Sequence, residues 1–287
     1  MVTTIHTKKS VYQDNATYQK EKEKLFHNLS VKMIINELKK NDIMIDSQQI
    51  SDTYRQNYDI NKTIDLFDDR FDQQLDQLAL KNEVFDDDAL VYLIIKVIEH
   101  DFDVHSIPDI AYIARDIKAL LEHVQSYQSL MKQIRKILKR LLALSQYHES
   151  RDLENMLAPY GIDLEQVLVQ AFQGIGAVDD VRLLKELYEL MISLRQTYEV
   201  SKRYCDIILE LMSHIVLYDQ SDIGHYLQMI EKNDPEYLLM AYYKVLNALS
   251  VTHQNELVRY YFDQAMTYQP ENEEQEDLLD IIKEIFA

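Results

Sequence analysis

The stretch YLLMAYYKVLNALSVTHQNELVRYYFDQAMTYQPEN, residues 237–272, is the part of the chain that decides the fold. Apolar residues recur in it with the three- and four-residue spacing of helices, and a Pro-Glu pair closes it at 270–271. A second Pro-Glu pair precedes it, so that Pro235 and Pro270 are 35 residues apart. That distance accommodates two short helices and their turns. The stretch therefore predicts a helical hairpin that forms one unit of a repeat.

The rest of the chain carries the same helical signal. Four glycines and four prolines in 287 residues are too few for the turns of a sheet or sandwich, so the fold class is predicted as all-α. The 3.6-residue periodicity predicts helices near 17–40, 47–57, 60–80, 87–100, 108–125, 126–148, 150–158, 163–174, 178–196, 199–217, 221–232, 235–250, 253–268 and 271–286.

Residues 237–272 resemble a tetratricopeptide repeat. The resemblance lies in the aromatic, aliphatic, small and proline positions occupied by Tyr242, Val245, Phe262, Ala265 and Pro270. The chain departs from the pattern at two positions where the family prefers small residues, Leu246 and Val258. The resemblance implies a TPR-like array of helical hairpins, which we place over residues 86–287, with a smaller N-terminal helical unit over residues 1–85.

A stacked array of hairpins has a curved surface that suits a peptide or a segment of another protein. In the register of the resemblance, Tyr243 and Asn247 face the concave side, where an asparagine amide can donate to and accept from a peptide backbone. We add Tyr242, Lys202 and Arg203 to this predicted binding surface. The function predicted first is a non-enzymatic interaction or regulatory protein that binds a peptide or protein segment.

The segment MKQIRKILKRLLAL, residues 131–144, is strongly basic in a chain whose net charge is −19. On a helical wheel its apolar residues face one way, and the basic residues that face the other way are Lys132, Arg135, Lys136, Lys139 and Arg140. This basic face predicts a membrane-surface helix, a docking site for an acidic partner or an anionic ligand, or a structural helix whose charges meet carboxylates such as Asp86–Asp88, Glu186 and Glu189. The abundance of internal counter-charges favours the structural helix.

The N-terminal helices raise the alternative of DNA binding. The order of a small N-terminal unit and a helical-repeat domain resembles that of bacterial regulators of the Rgg type, which implies a peptide-responsive transcriptional regulator. The lysines that could contact a DNA backbone are Lys20, Lys22, Lys24, Lys32, Lys39 and Lys40. The helix that would read the bases, near 60–80, instead carries Asp65, Asp68, Asp69, Asp72 and Asp76. The sequence therefore predicts neither the presence nor the absence of nucleic-acid binding.

No cofactor and no enzymatic activity are predicted. The densest group of metal-ligand residues is Glu99, His100, Asp101, Asp103 and His105, and its position at a helix end favours solvated side chains over a metal site. Cys205 lies on an apolar stripe and is predicted to be a small core residue. A single cysteine and the lack of an apolar membrane-length run predict a cytoplasmic protein without a membrane segment, and a homodimer is compatible with the sequence.

Overall fold

The computed structural model describes residues 24–81, 85, 88–122 and 126–287. Within these ranges the chain is helical and forms no strand; one isolated bridge joins Asp152 and Glu199. The all-α prediction is confirmed. None of the described helices is both long and apolar enough to cross a lipid bilayer.

The chain divides into two compact units, a first unit of residues 1–118 and 146–149 and a second unit of residues 119–145 and 150–287. The helix that begins at Asp88 belongs to the first unit and packs against the helices that precede it, and the division proposed at residue 85 stays a prediction. The first 23 residues of the predicted N-terminal unit, with Lys20 and Lys22, lie outside the described residues, as do Asp86 and Asp87.

The helices of the first unit are α1 (Val31–Lys39), α2 (Ser47–Arg55), α3 (Ile60–Lys81), α4 (Asp88–Asp101) and α5 (Ile110–Glu122), which continues past the boundary at Lys118. Those of the second unit are α6 (Tyr127–Leu144), α7 (Leu153–Leu157), α8 (Leu164–Phe172), α9 (Val181–Thr197), α10 (Arg203–Tyr218), α11 (Ile223–Asn233), α12 (Leu238–Val251), α13 (Asn255–Ala265) and α14 (Glu273–Phe286). Most predicted helices are found within a few residues of their expected ends.

Side-chain caps explain several of these boundaries. The long helix predicted at 17–40 is interrupted in the structure at Ser30, whose hydroxyl accepts from the Met33 amide and starts α1. Asp46 and Gln49 cap each other's backbone amides at the start of α2 in a capping box. A side-chain acceptor at the N-cap satisfies an amide that has no partner within the helix, so these residues fix where the helices begin.

Helix α4 is the core of the first unit. It packs against α1, α2 and α3, and ten of its fourteen residues are buried. Leu93, Ile94 and Ile98 are fully buried, and each such side chain contributes about 1.5–3 kcal/mol relative to an exposed one. A helix that is apolar on every side in this way must be surrounded by other helices.

A buried carboxylate joins three helices in the same unit. Asp109, which precedes α5, has no exposed surface, and its Oδ2 accepts from the Tyr54 hydroxyl (3.0 Å) and the Ile60 amide (2.8 Å). Its Oδ1 accepts from the amides of Ala111 (2.9 Å) and Tyr112 (3.4 Å). One side chain therefore ties the end of α2 and the starts of α3 and α5 together.

In the second unit each helix packs mainly on helices close to it in the sequence. α9 packs against α6 and α10, α10 against α12, and α12 against α13 and α14. The side chains of α9 also reach α11: the rings of Tyr188 and Tyr226 lie 4.7 Å apart, and the Tyr188 hydroxyl donates to the Tyr226 carbonyl (3.2 Å).

The polar contacts between these helices have a regular separation. From Glu165 to Gln275, long-range side-chain hydrogen bonds join residues 34–39 positions apart in the described sequence. The pairs are Glu165 with Ser201 and with Arg203, Val178–His214, Lys185–Asp222, Tyr188–Tyr226, Glu189–His225, Arg195–Asp234, Gln196–Asn233, Glu210–Lys244 and Glu236–Gln275. The side-chain hydrogen bonds that join a residue before Glu165 to one after it span more residues, as in Leu141–Tyr198 at 57.

Candidate peptide-binding surface

One side of α12 is open to solvent and carries three of the residues that define the candidate surface. Tyr243, Lys244 and Asn247 follow one another at one- and three-residue steps, which places them on the same side of the helix. Asn247 is exposed, whereas Tyr243 and Lys244 are half-buried. No hydrogen-bond partner of the Asn247 amide is found among the described residues, so the amide can donate to and accept from a ligand.

The neighbouring helix α10 extends this surface. Arg203, Asp206 and Glu210 are exposed at the three- and four-residue spacing of one helix side. The Lys244 ammonium forms an ion pair with the Glu210 carboxylate, so the exposed sides of α10 and α12 adjoin. We call the side chains Arg203, Asp206, Glu210, Tyr243, Lys244 and Asn247 the α10–α12 surface.

Lys202 and Arg203 lie at the start of α10, and each forms an ion pair with a neighbouring segment. The Lys202 ammonium is 3.5 Å from a Glu236 carboxylate oxygen, and Arg203 Nη1 donates to Glu165 Oε1 (3.0 Å). Both cations are exposed, so these pairs contribute little to stability, about 0–1 kcal/mol each. Either cation can exchange its partner for a carboxylate of a ligand at small cost.

The chain contains two pairs of adjacent tyrosines, Tyr242–Tyr243 and Tyr260–Tyr261, which differ in how far their side chains are packed or exposed. Tyr243 packs against a buried cluster of Leu239, Leu246, Leu279 and Ile282, and its ring centre is 6.4 Å from that of Phe286. Tyr242 is also half-buried, and burial raises the pKa of its hydroxyl. In the second pair Tyr261 packs on the same cluster while Tyr260 is exposed, as expected for one of two adjacent residues. Asn247 is thus the most accessible of the predicted contact residues on α12.

Only some side chains of the basic face predicted on α6 are exposed to solvent. The apolar side of the helix is buried as expected, but Arg140 is buried as well, with 5 % of its surface exposed. Arg135 Nη1 donates to Glu186 Oε2 (2.9 Å), and Lys139 Nζ lies 3.9 Å from the same oxygen. Lys132 and Lys136 are exposed. Glu186 on α9 is one of the carboxylates expected beside this helix, so the arrangement agrees with the structural interpretation.

A buried polar pair joins α9 to the segment that precedes α12, and no local sequence pattern indicates it. Arg195 Nε donates to Asp234 Oδ1 (2.6 Å), and the side chains are 18 % and 2 % exposed. Arg195 Nη1 also donates to the Ser201 carbonyl (3.3 Å), so the guanidinium connects α9 to the segment that precedes α10 and to the segment that precedes α12. The partners are 39 residues apart, and only knowledge of the repeat spacing could have paired them.

Cys205 is fully buried, as predicted for a core residue. Burial, together with the nearby Asp234 carboxylate, raises the pKa of the Cys205 thiol to about 12. Because the thiolate is the reactive form, we expect the native protein to resist an aromatic disulfide reagent at pH 8 and to react within minutes once unfolded in urea. Release of the coloured thiolate product measures both rates, and rapid labelling of the native chain would contradict the burial.

The residues considered for a metal site do not form one in the described chain, where no group of three or more His, Cys, Asp or Glu side chains could hold an ion. His100 Nδ1 is 2.7 Å from Asp101 Oδ1, and His105 Nδ1 is 3.3 Å from Asp116 Oδ2. Asp101 also accepts from the Ser51 hydroxyl (2.5 Å). The two histidines therefore bind separate carboxylates.

Helix α3, the candidate reader of DNA, presents carboxylates in the part that can be described. Its exposed acidic residues are Asp65, Asp69, Asp72 and Asp76, and its exposed basic residues are Lys62 and Arg70. Asp68 is buried. Phosphates repel such a surface, so α3 gives no support to DNA recognition.

The α10–α12 surface is therefore the arrangement that unites several of the predicted contact residues. It combines an aromatic ring, an exposed amide and charges of both signs on two adjacent helices. In comparisons with known proteins, no family model, curated protein or solved structure matches this chain. The resemblances to tetratricopeptide repeats and to Rgg-type regulators accordingly remain predictions.

Proposed function

We propose that this chain is a non-enzymatic interaction protein that binds a peptide or protein segment along the α10–α12 surface. The observation that carries the proposal is the 34–39-residue separation of the polar contacts between Glu165 and Gln275. Contacts at one recurring separation are expected when successive hairpins of similar length stack on one another. Such an array aligns equivalent helices side by side, which is how α10 and α12 come to share an open surface.

The chemistry of the surface suits an extended backbone with charged side chains. The Asn247 amide can form one donor and one acceptor contact with a peptide group, and the exposed part of Tyr243 offers amphipathic contact area. Glu210 and Asp206 can receive basic side chains, and Arg203 can receive a carboxylate. Helices α10 and α12 pack directly against each other, so little ordering is required when a ligand binds.

The test compares Asn247→Ala with Gln264→Ala, an exposed amide on α13 outside the proposed surface. We expect a ligand to bind the Asn247→Ala variant about tenfold more weakly, because two hydrogen bonds to a peptide group contribute about 1.4 kcal/mol or more. Gln264→Ala is expected to bind like the wild type.

The ligand is found by quantitative mass spectrometry of proteins captured from the native cell by the three forms of the chain. A true ligand is depleted with Asn247→Ala and retained with Gln264→Ala, and a synthetic copy of its segment then gives the affinities. If no captured protein distinguishes the two variants, the α10–α12 surface is not the binding site. Circular dichroism checks that the variants fold alike.

A further inference from the structure

Helix α14 carries a second, apolar surface that the proposed function does not use. Leu278, Ile281 and Ile285 follow one another at three- and four-residue steps on one side of the helix. Leu278 is half-buried against the cluster that also contacts Tyr243, whereas Ile281 is 44 % and Ile285 55 % exposed. We call these three side chains the α14 stripe.

The exposed part of the α14 stripe, Ile281 and Ile285, lies outside the side by which α14 is held in the fold. That side consists of Gln275, Leu279 and Ile282, which are buried against α12 and α13. Isolated exposed apolar residues need no explanation, but branched side chains that recur on one helix side form a continuous surface for contact. An i, i+3, i+7 spacing is the one by which two helices pack along each other.

The charges around the stripe indicate what can cover it. The exposed carboxylates of α14 are Glu273, Glu274, Glu276, Asp277, Asp280 and Glu284. The single cation of the helix is Lys283, and it already forms an ion pair with Asp280 (2.8 Å). Two copies of α14 would bring like charges together along the whole contact, which disfavours pairing of the stripe with itself. A partner with basic residues on both sides of an apolar row complements the apolar stripe and also the carboxylates around it.

We propose that the α14 stripe docks an amphipathic helix of another protein, with apolar residues at i, i+3 or i+4 and i+7 and with lysine or arginine flanks. The apolar row packs on Ile281 and Ile285, and the flanking cations meet the carboxylates of α14. The carboxylates attract the basic helix before contact and fix its orientation, while burial of the isoleucines holds it in place.

A model peptide of about 18 residues tests this inference, since shorter isolated helices are marginal in water. The peptide has leucines in a single helical row and lysines elsewhere, and it carries a fluorophore for anisotropy titration. The protein forms are the wild type, the double variant Ile281→Gln/Ile285→Gln, and Val251→Gln. Val251 is a matched control because it is 67 % exposed on α12 and is not part of the stripe.

We expect the double variant to bind the lysine peptide at least about tenfold more weakly than the wild type, and Val251→Gln to bind it equally well. A scrambled lysine peptide without an apolar row, and a peptide with glutamate in place of lysine, are both expected to bind the wild type at least about tenfold more weakly. Equal affinity of the wild type and the double variant would overturn the proposal, because the peptide would then be bound by charge at another place.

Sedimentation velocity tests the alternative that a second copy of this chain covers the α14 stripe. A wild-type dimer that dissociates in the double variant would show that a second copy of the chain covers the stripe, and would also overturn the proposal. The inference is independent of the α10–α12 surface. Asn247→Ala should therefore leave the affinity for the lysine peptide unchanged, so that either proposal can fail without the other.

Discussion

Replacing Asp234 with alanine is expected to lower the free energy of unfolding by about 3–5 kcal/mol, the loss that follows when one partner of a buried ion pair is removed. Arg195 would keep its charge in a site where only 18 % of its side chain is exposed, and it would lose its partner on the segment before α12. Urea unfolding followed by circular dichroism measures the effect.

Two further variants separate the burial of charge from the loss of packing. Lys283→Ala removes an ion pair whose partners are 50 % and 74 % exposed, so its expected cost is below about 1 kcal/mol. The double variant Arg195→Met/Asp234→Leu removes both charges and is expected to recover much of the stability lost in Asp234→Ala, because apolar pairs of similar volume often replace buried ion pairs. If Asp234→Ala unfolds at the same urea concentration as the wild type, the pair is not a determinant of stability.

The position of this ion pair illustrates what the sequence can predict and what it cannot. Helix positions follow from local periodicity and from N-caps such as Asp46, and both of these signals depend only on residues that are close together in the sequence. Arg195 and Asp234 meet because two helices of the array lie side by side, and no local pattern carries that information. The 35-residue interval between Pro235 and Pro270 predicted a spacing of this size, but not which residues would use it.

The same distinction applies to the candidate surfaces. Asn247 is exposed on one side of α12, which local helix periodicity can predict, whereas its place on a concave binding surface stays a prediction. Arg140 falls on the charged arc of the wheel of α6 but is buried, since the width of the buried side depends on how closely the neighbouring helices approach. The α14 stripe was missed because its isoleucines have the spacing of core residues, and only the arrangement of α12 and α13 leaves them exposed.

Asp109 is expected to be the most sensitive position of the first unit, and its effect should depend on pH. Asp109→Ala removes the acceptor for the Tyr54 hydroxyl and for the Ile60, Ala111 and Tyr112 amides. A buried donor left without an acceptor costs about 1–3 kcal/mol, so we expect a loss of about 3–5 kcal/mol at pH 5. Urea unfolding at a series of pH values measures it.

The pH dependence follows from the charge of this carboxyl. Burial, followed by the charge of Asp59, raises the pKa of Asp109 to about 7, and the hydrogen bonds from Tyr54, Ile60 and Tyr112 oppose that change. Between the unfolded pKa of about 3.9 and the folded pKa the native state binds more protons than the unfolded state, so stability falls as pH rises. This contribution is fully present below the unfolded pKa and is lost as pH rises through about 7.

The deficit of Asp109→Ala relative to the wild type should therefore be largest at pH 5 and should narrow toward pH 8, because only the wild type loses stability from ionising a buried acid. Asp109→Asn is the matched control, since it keeps the shape and one acceptor but cannot ionise. Its own deficit at pH 5 is expected to be smaller than that of Asp109→Ala, and its stability should lack the decline between pH 5 and 8. A wild-type curve parallel to that of Asp109→Asn would show that the hydrogen bonds outweigh burial and keep Asp109 ionised throughout.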